Sequence, residues 1–286
     1  MSAPRPIWAV GVIGSCRVHT PLQKAAAAGL LEYRLDAAIG FLHNPVEIRQ
    51  ALALYRAQRV APEPLCAMMN VSAPAALGHS DRWRRLFLGI DALVVEISSL
   101  RIIAYEGWQL QIQRFREHMQ DAGFTPAEVS DLFKPGWDRD AFLRRAEPHP
   151  LLADILRHGS FYELDEAGLE AALRALNEEI GAPTLYVGIA THWAGKPIAQ
   201  RVMLDAALAR LAAEAPNAGY LAPTSFVGED ARDWMKDPGH YHPETEPRAG
   251  RAIAAAVERF GATSRTMLRL REKRLMRAAM QASVDA

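Results

Sequence analysis

The chain has 286 residues, half of them hydrophobic, with 33 Lys and Arg balanced by 33 Asp and Glu. That length can bury one large α/β domain or two smaller ones, and zero net charge gives no reason to expect the broad basic surface of a nucleic-acid binder. No apolar stretch is long enough to span a bilayer, the first residues lack the order of a signal peptide, and two cysteines are too few for a disulfide scaffold, so the sequence reads as a cytoplasmic chain with reduced thiols.

The first element is "IWAVGVI" (7–13), whose continuous rather than alternating apolar character marks a strand buried on both faces. It stops at Gly14-Ser15-Cys16-Arg17, and "TPLQKAAAAGLL" then reads as a helix. Gly14 permits a tight turn. Cys16 falls at a helix N-terminus, where the dipole and free amide groups favour a thiolate and can hold an oxyanion, with Arg17 adding positive charge. The plainer alternative is that Cys16 is a small buried hydrophobe.

Further strands follow at "YRLDAAIGF" (33–41), "ALVVEIS" (92–98) and "TLYVGIA" (184–190), with helical stretches between them, "NPVEIRQALALYRAQ" and "DEAGLEAALRALNEEIG" among these. The alternation predicts a doubly wound parallel sheet, a three-layer flavodoxin-like α/β fold, whose binding crevice lies at the C-terminal ends of the strands. The rhythm breaks over about 101–160, where Trp108, Phe115, Phe124, Phe133, Trp137 and Phe142 sit among charged residues. This stretch is expected to be mainly helical, an insertion over the sheet edge. Residues leaving the strands are candidates for the crevice: Ser98 and Ser99 after the third, and His192, Trp193 and Lys196 after the fourth, Lys196 for an anionic group. His19 and His43, after the first and second strands, have weaker claims, and His192 also fits an ordinary surface loop.

Near the end, "KDPGHYHPETEP" (236–247) places Asp237 and His240 three apart, so that on a short turn a carboxylate can fix the imidazole tautomer while the other ring nitrogen faces a nucleophile. The last segment, 263–286, reads as a basic amphipathic helix, able to dock on its own domain or on a partner.

Taken together, the first and last blocks resemble the SGNH/GDSL hydrolase superfamily, whose first block is strand–Gly-Asp-Ser–helix and whose last is Asp-x-x-His, often continuing Tyr-x-Pro-Glu. Residues 237–244 read Asp-Pro-Gly-His-Tyr-His-Pro-Glu, and Gly14-Ser15-Cys16 stands where Gly-Asp-Ser would, which puts Cys16 at the nucleophile position. The Gly-Ser-Cys turn is similar to that of the GSCFA branch and of capsule-polysaccharide acyltransferases. The resemblance implies an SGNH-like α/β domain over 1–262, with the insertion and then the separate C-terminal helix. It also implies acyl-ester chemistry, hydrolysis or O-acyl transfer, on a small or carbohydrate-like substrate through Cys16, His240 and Asp237. A thioester intermediate would form on Cys16, with Ser15 as the alternative nucleophile. Ser15, Arg17, Ser98, Ser99, His192 and Lys196 would contribute to oxyanion or substrate binding. No resident cofactor is implied, although a coenzyme A-type acyl donor fits the chemistry, and a homo-oligomer is left open. This chain departs from the family in having no Gly-x-Asn after a strand; the nearest counterpart is "VVEISSLR", whose Glu96 as an anion cannot donate to an oxyanion.

Two other readings compete. Asp237, His240 and His242, with His192 or Cys16 nearby, offer carboxylate, imidazole and thiolate ligands to a metal ion. Alternatively, the chain is a non-catalytic binding protein on the same scaffold, acting through its basic tail.

Overall fold

The apolar run that opens the chain becomes strand β1 (Ala9–Gly14), buried along its whole length. The structure, a computed structural model, describes residues 7–56, 58–70, 87, 89–228, 231–237 and 239–284. Residues 1–6 of the expected N-terminus, and Pro238 within the Asp-x-x-His block, lie outside them. The chain divides into two compact units, one within Met1–Leu42, Arg85–Ser98 and Leu173–Ala286, the other within His43–Arg84 and Ser99–Ala172.

The first unit is built on a five-stranded sheet in which β1 pairs with β2 (Glu32–Gly40) and β3 (Ala92–Glu96), β3 with β7 (Thr184–Val187), and β7 with β10 (Ala218–Leu221), every pair parallel. Counting only its own strands, the sheet runs 2-1-3-4-5, the flavodoxin-like doubly wound order, whose topological switch point falls between the C-terminal ends of β1 and β3. One face is covered by helix α1 (Cys16–Ala27) and the helix Glu246–Thr263, through Val18, Leu22, Ala25, Ile253 and Val257 against Val10, Val12, Val94 and Leu185. On the other face Tyr186 is completely buried, its hydroxyl 3.4 Å from Asn177 Oδ1 on the helix Glu166–Ile180. The expected three-layer α/β fold is therefore present. Its fifth strand, β10, was not legible, because four residues interrupted by Gly219 carry too short an apolar signal.

In the second unit the expected mainly helical stretch is present, as the helices Ile112–Asp121, Pro126–Asp131, Arg139–Ala146 and Pro150–His158, and a small sheet that the sequence did not announce accompanies them. Strands β4 (Arg101–Tyr105), β5 (Trp108–Gln109) and β6 (Ser160–Glu163) form an antiparallel sheet in the order β5-β4-β6. The β4–β5 connection is two residues, Glu106 and Gly107, both at positive φ, the signature of a type I′ hairpin. The aromatic residues of this stretch build that unit's own core: Phe115 and Phe124 are buried, Phe124 stacks on Phe142 at 5.0 Å, and Trp137 meets Phe142 edge-on.

The C-terminal segment is the helix Arg265–Val284. It is anchored to the first unit by Met267, which is fully buried, and by Arg274, which reaches the buried carboxylate of Asp91 at 2.9 Å, Glu32 at 3.2 Å and the Ile7 carbonyl at 3.0 Å. Among the described residues no helix is long and apolar enough to cross a membrane.

The contact that fixes α1 against the Glu246–Thr263 helix is unusually close. A β-carbon on Gly250 would stand 2.3 Å from the carbonyl oxygen of Pro21, and Pro21 lies inside α1. Backbone cannot yield as a flexible side chain does, so Gly250→Ala is expected to push the two helices apart and destabilise the protein by about 1–3 kcal/mol. Chemical denaturation measures this directly; an unchanged midpoint would contradict the close approach.

Candidate functional site

At the end of β1 the chain turns through Gly14, which has φ +151° and whose β-carbon, were it present, would lie 2.8 Å from Glu96 Cβ and 2.9 Å from Val18 Cγ2. Only glycine lets the first turn of α1 come this close to the end of β3. Ser15 then caps α1: its hydroxyl oxygen accepts from the Arg17 amide at 3.2 Å, and its carbonyl accepts from the amides of Val18 and His19.

The Glu96 carboxylate, on β3, is 1% exposed and fully engaged with this turn. Its Oε2 accepts from the Ser15 hydroxyl at 2.5 Å and the Ser15 amide at 3.0 Å, while Oε1 accepts from Arg17 Nε at 2.6 Å and lies 2.5 Å from Nη2. Burying a carboxylate costs heavily unless it is paired and hydrogen-bonded, and here both oxygens are. The pairing sets the state of both neighbours of Cys16. The Ser15 hydroxyl donates its hydrogen bond to Glu96 and is buried, and the Arg17 guanidinium pairs with the same carboxylate.

Cys16 itself is an exposed free cysteine at the first position of α1. Its thiol titrates above the ordinary cysteine value: desolvation is the largest cause, the Arg17 charge opposes it, and the Glu96 and Glu246 carboxylates reinforce it. This corrects the expectation of a resting thiolate. Desolvation of the thiol outweighs the Arg17 cation, which still favours the thiolate.

The Asp-x-x-His block forms a small antiparallel ladder, β11 (Met235–Asp237) with β12 (His240–Tyr241), in which Asp237 is the partner of His240. The Asp237 carboxylate accepts from the Gly239 amide at 2.7 Å, and its two oxygens lie 2.9 and 3.0 Å from His240 Nδ1. Partial burial pushes the Asp237 carboxyl up, but the Gly239 amide and the His240 ring outweigh it and hold it below the usual carboxylate range. With Nδ1 occupied by the carboxylate, Nε2 is the nitrogen left to exchange a proton with a substrate or a thiol. Strand β12 packs against α1, the helix that begins with Cys16.

Two residues that sequence reasoning gave no role complete the surroundings. The half-buried Tyr241 meets Phe226 edge-on at 6.1 Å, and its hydroxyl interacts electrostatically with Arg17, Glu96, Cys16 and Arg201. Burial, the largest cause, raises its pKa, so the phenol stays protonated. Arg201, near the start of the helix Ala199–Glu214, donates from Nη1 to the Ala190 carbonyl at 3.1 Å. Burial and the Arg17 charge bring its guanidinium down to about 10, opposed by Glu96 and Tyr241. The tyrosine was in view within the Tyr-x-Pro-Glu block. The arginine was not, because an arginine near the start of a helix belongs to no motif and reads as a solvated cation.

The remaining candidates are spread more widely. His192 and Trp193 form β8, paired with β9 (Lys196–Pro197). His192 Nδ1 lies 3.1 Å from the Thr191 hydroxyl, and Trp193 and Tyr241 pack on one small cluster of Ala190, Ala231 and Met235. Lys196 is exposed. Ser98 belongs to the first unit and Ser99 to the second, where the Ser99 amide donates to the His43 carbonyl at 2.9 Å and its hydroxyl accepts from the Arg101 amide at 3.1 Å. His19 is held by the Tyr33 hydroxyl at 2.8 Å and the Ile39 carbonyl at 3.3 Å. Among the described residues no group of three or more His, Cys, Asp or Glu is placed to hold a metal ion, and Asp237, His240 and His242 do not make one.

Because its thiol pKa is raised, Cys16 is expected to alkylate slowly at pH 7 and progressively faster through pH 9, as the thiolate fraction grows. Cys66, 6% exposed with its thiol 3.5 Å from the Pro62 carbonyl, is expected to lag at every pH. Iodoacetamide labelling followed by peptide mapping checks both; a Cys16 rate already at its plateau at pH 7 would contradict the raised pKa.

No curated protein matches the chain. Residues 8–256 match the family model described as the TviD N-terminal domain, a span that runs from the strand leading into the Cys16 turn to the helix beyond the Asp237–His240 ladder. The chain belongs to the TviD N-terminal domain family.

Proposed function

We propose that this protein is an O-acyltransferase acting on a carbohydrate, with Cys16 as nucleophile, His240 as general base and acid, and Asp237 as the group that orients His240. The family supports the reaction class, since TviD is a Vi capsule polysaccharide acetyltransferase. The observation that carries the mechanism is the bidentate approach of the Asp237 carboxylate to His240 Nδ1, on a strand packed against the helix that begins with Cys16.

In this reading His240 Nε2 removes the thiol proton as Cys16 attacks the carbonyl carbon of an acyl donor, a coenzyme A-type thioester being the chemical class that fits. The C–S bond to the donor breaks, His240 returns the proton to the leaving thiolate, and the acyl group remains as a thioester on Cys16. His240 then takes a proton from an acceptor hydroxyl, whose oxygen attacks the thioester, and the Cys16 thiolate leaves and is reprotonated. A thiol with a raised pKa needs such a base, so the dyad and the Cys16 environment are mutually consistent. The Tyr241 hydroxyl, kept protonated and within electrostatic reach of Cys16 and Arg201, is proposed as oxyanion donor in place of the missing Gly-x-Asn. Water in place of the acceptor would give hydrolysis by the same steps.

Transfer from an acyl thioester to an oligosaccharide, or turnover of an activated acyl ester, reads the roles apart. Cys16→Ala is expected to abolish activity, His240→Ala to lower kcat/KM by about 10²–10⁴-fold, and Tyr241→Phe by about 10–10²-fold, somewhat less than the loss of a stronger oxyanion donor. Asp237→Asn is expected to cost less than His240→Ala, because it only orients the ring. An Asp237→Asn loss larger than that of His240→Ala, at unchanged thermal stability, would make Asp237 a base in its own right. Wild-type activity in Cys16→Ala would remove Cys16 as the nucleophile, whereas cellular function intact in Cys16→Ala and lost on deleting the C-terminal tail would favour the non-catalytic binding reading.

A further inference from the structure

Arg116 stands on the helix Ile112–Asp121 of the second unit, four positions after Ile112 and next to Phe115, both buried in that unit's core. One helical turn after Ile112 it flanks the apolar face, and the residue is half-buried. Its Nε is cut off from water and has no hydrogen-bond partner among the described residues. A guanidinium carries five N–H donors and no acceptor, so an unanswered buried Nε is an uncompensated cost at a charged group.

The surroundings add to that cost instead of offsetting it. The helix packs on β4, and the charge that acts on Arg116 is another guanidinium, Arg101 at the start of that strand. Burial first, and the Arg101 charge second, hold Arg116 below the ordinary arginine range. Carboxylates on the neighbouring elements are engaged elsewhere. Glu163 on β6 accepts from Arg101 Nε at 3.1 Å, Glu117 on the same helix lies 2.9 Å from Arg114 Nη1, and Asp131 lies 2.6 Å from Lys134 Nζ. Among the described residues no carboxylate is paired with Arg116. An arginine placed there only for its apolar stem would carry its head into water and away from a second cation. Folding alone therefore gives no reason for a dehydrated guanidinium set in the field of Arg101.

We propose that Arg116, in the field of Arg101, is an oxyanion-binding site of the second unit, taking a phosphate or carboxylate group of a bound molecule on the terminal nitrogens of its guanidinium. The planar fork of an arginine matches both groups bidentately. An anion held there would answer the repulsion between the two guanidinia, which nothing on the neighbouring elements does. A phosphate would come from an acyl donor of the coenzyme A type and a carboxylate from an acidic sugar, and the same nitrogens serve either. The site does not involve Cys16 and stands apart from the acyl-transfer reading.

The test is direct binding in chloride buffer, without turnover. Inorganic phosphate, coenzyme A and a hexuronate oligosaccharide are each titrated into the protein by calorimetry. The wild type is expected to bind phosphate and to bind one of the two larger anions more tightly, which tells a donor phosphate from a sugar carboxylate. Arg116→Met, which keeps the apolar stem and removes the charge, is expected to weaken both by about tenfold or more, and Arg116→Lys to retain part of the binding. Arg144→Gln, which removes an exposed arginine from the same unit, is expected to change neither. Without added anion, Arg116→Met is expected to melt no lower than the wild type, and phosphate to raise the melting temperature of the wild type alone. The proposal is overturned if the wild type binds none of the three anions, if Arg116→Met binds them as the wild type does, or if Arg144→Gln weakens them equally. It is also overturned if Arg116→Met melts lower than the wild type in chloride, which would mean that Arg116 has its partner within the fold. Anion binding that depends on Arg116 without a thioester at Cys16 would defeat the acyl-transfer reading alone, and a thioester at Cys16 with binding indifferent to Arg116 would defeat the anion site alone.

Discussion

The candidate site depends on a single buried carboxylate. Glu96 leaves β3 and holds the turn after β1 by accepting from the hydroxyl and amide of Ser15 and from the guanidinium of Arg17. Those contacts join the two strands that flank the topological switch point of the sheet, where an open α/β fold has its natural crevice. A buried ion pair of this kind is weak evidence for stability, since desolvation offsets most of its attraction, whereas removing one partner alone costs about 3–5 kcal/mol. Its value here is geometric. Glu96 fixes the first turn of α1, and with it the position from which the Cys16 thiol is presented.

Desolvation is what chiefly raises the pKa of the nucleophile, and the same carboxylate adds to it. The Arg17 charge still favours the thiolate, while the Glu96 charge acts on Cys16 in the opposite sense and adds to the desolvation. The thiol is therefore protonated at rest, and a partner has to take the proton. In the proposed reaction the Asp237–His240 pair is that partner, with the carboxylate on Nδ1 and held in its charged form by the Gly239 amide and the imidazole.

Much of this arrangement could be read in the sequence, for identifiable reasons. Continuous apolar runs announced β1, β3 and β7, and the Gly-Ser-Cys turn and the Asp-x-x-His block stood out because each packs several chemically distinctive residues into a few positions. What could not be read depended on distance along the chain. Glu96 looked like an obstacle to an oxyanion hole until its partners, Ser15 and Arg17, came from some eighty positions earlier. Arg201 carried no local signal in its helix. The short strand β10 and the β4–β5 hairpin were missed because their apolar content is small and the turn chemistry, Glu-Gly, departs from the usual Asn-Gly.

The central claim is that Cys16 carries the acyl group. Incubating the protein with an acetyl thioester donor in the absence of acceptor, quenching in acid, digesting and mapping the peptides by mass spectrometry tests it most directly. The account predicts one acetyl group on the Cys16 peptide, released by neutral hydroxylamine as a thioester is, and none on the Cys66 peptide. An acetyl group found on Ser15, or on no residue while transfer to a sugar proceeds, would contradict it.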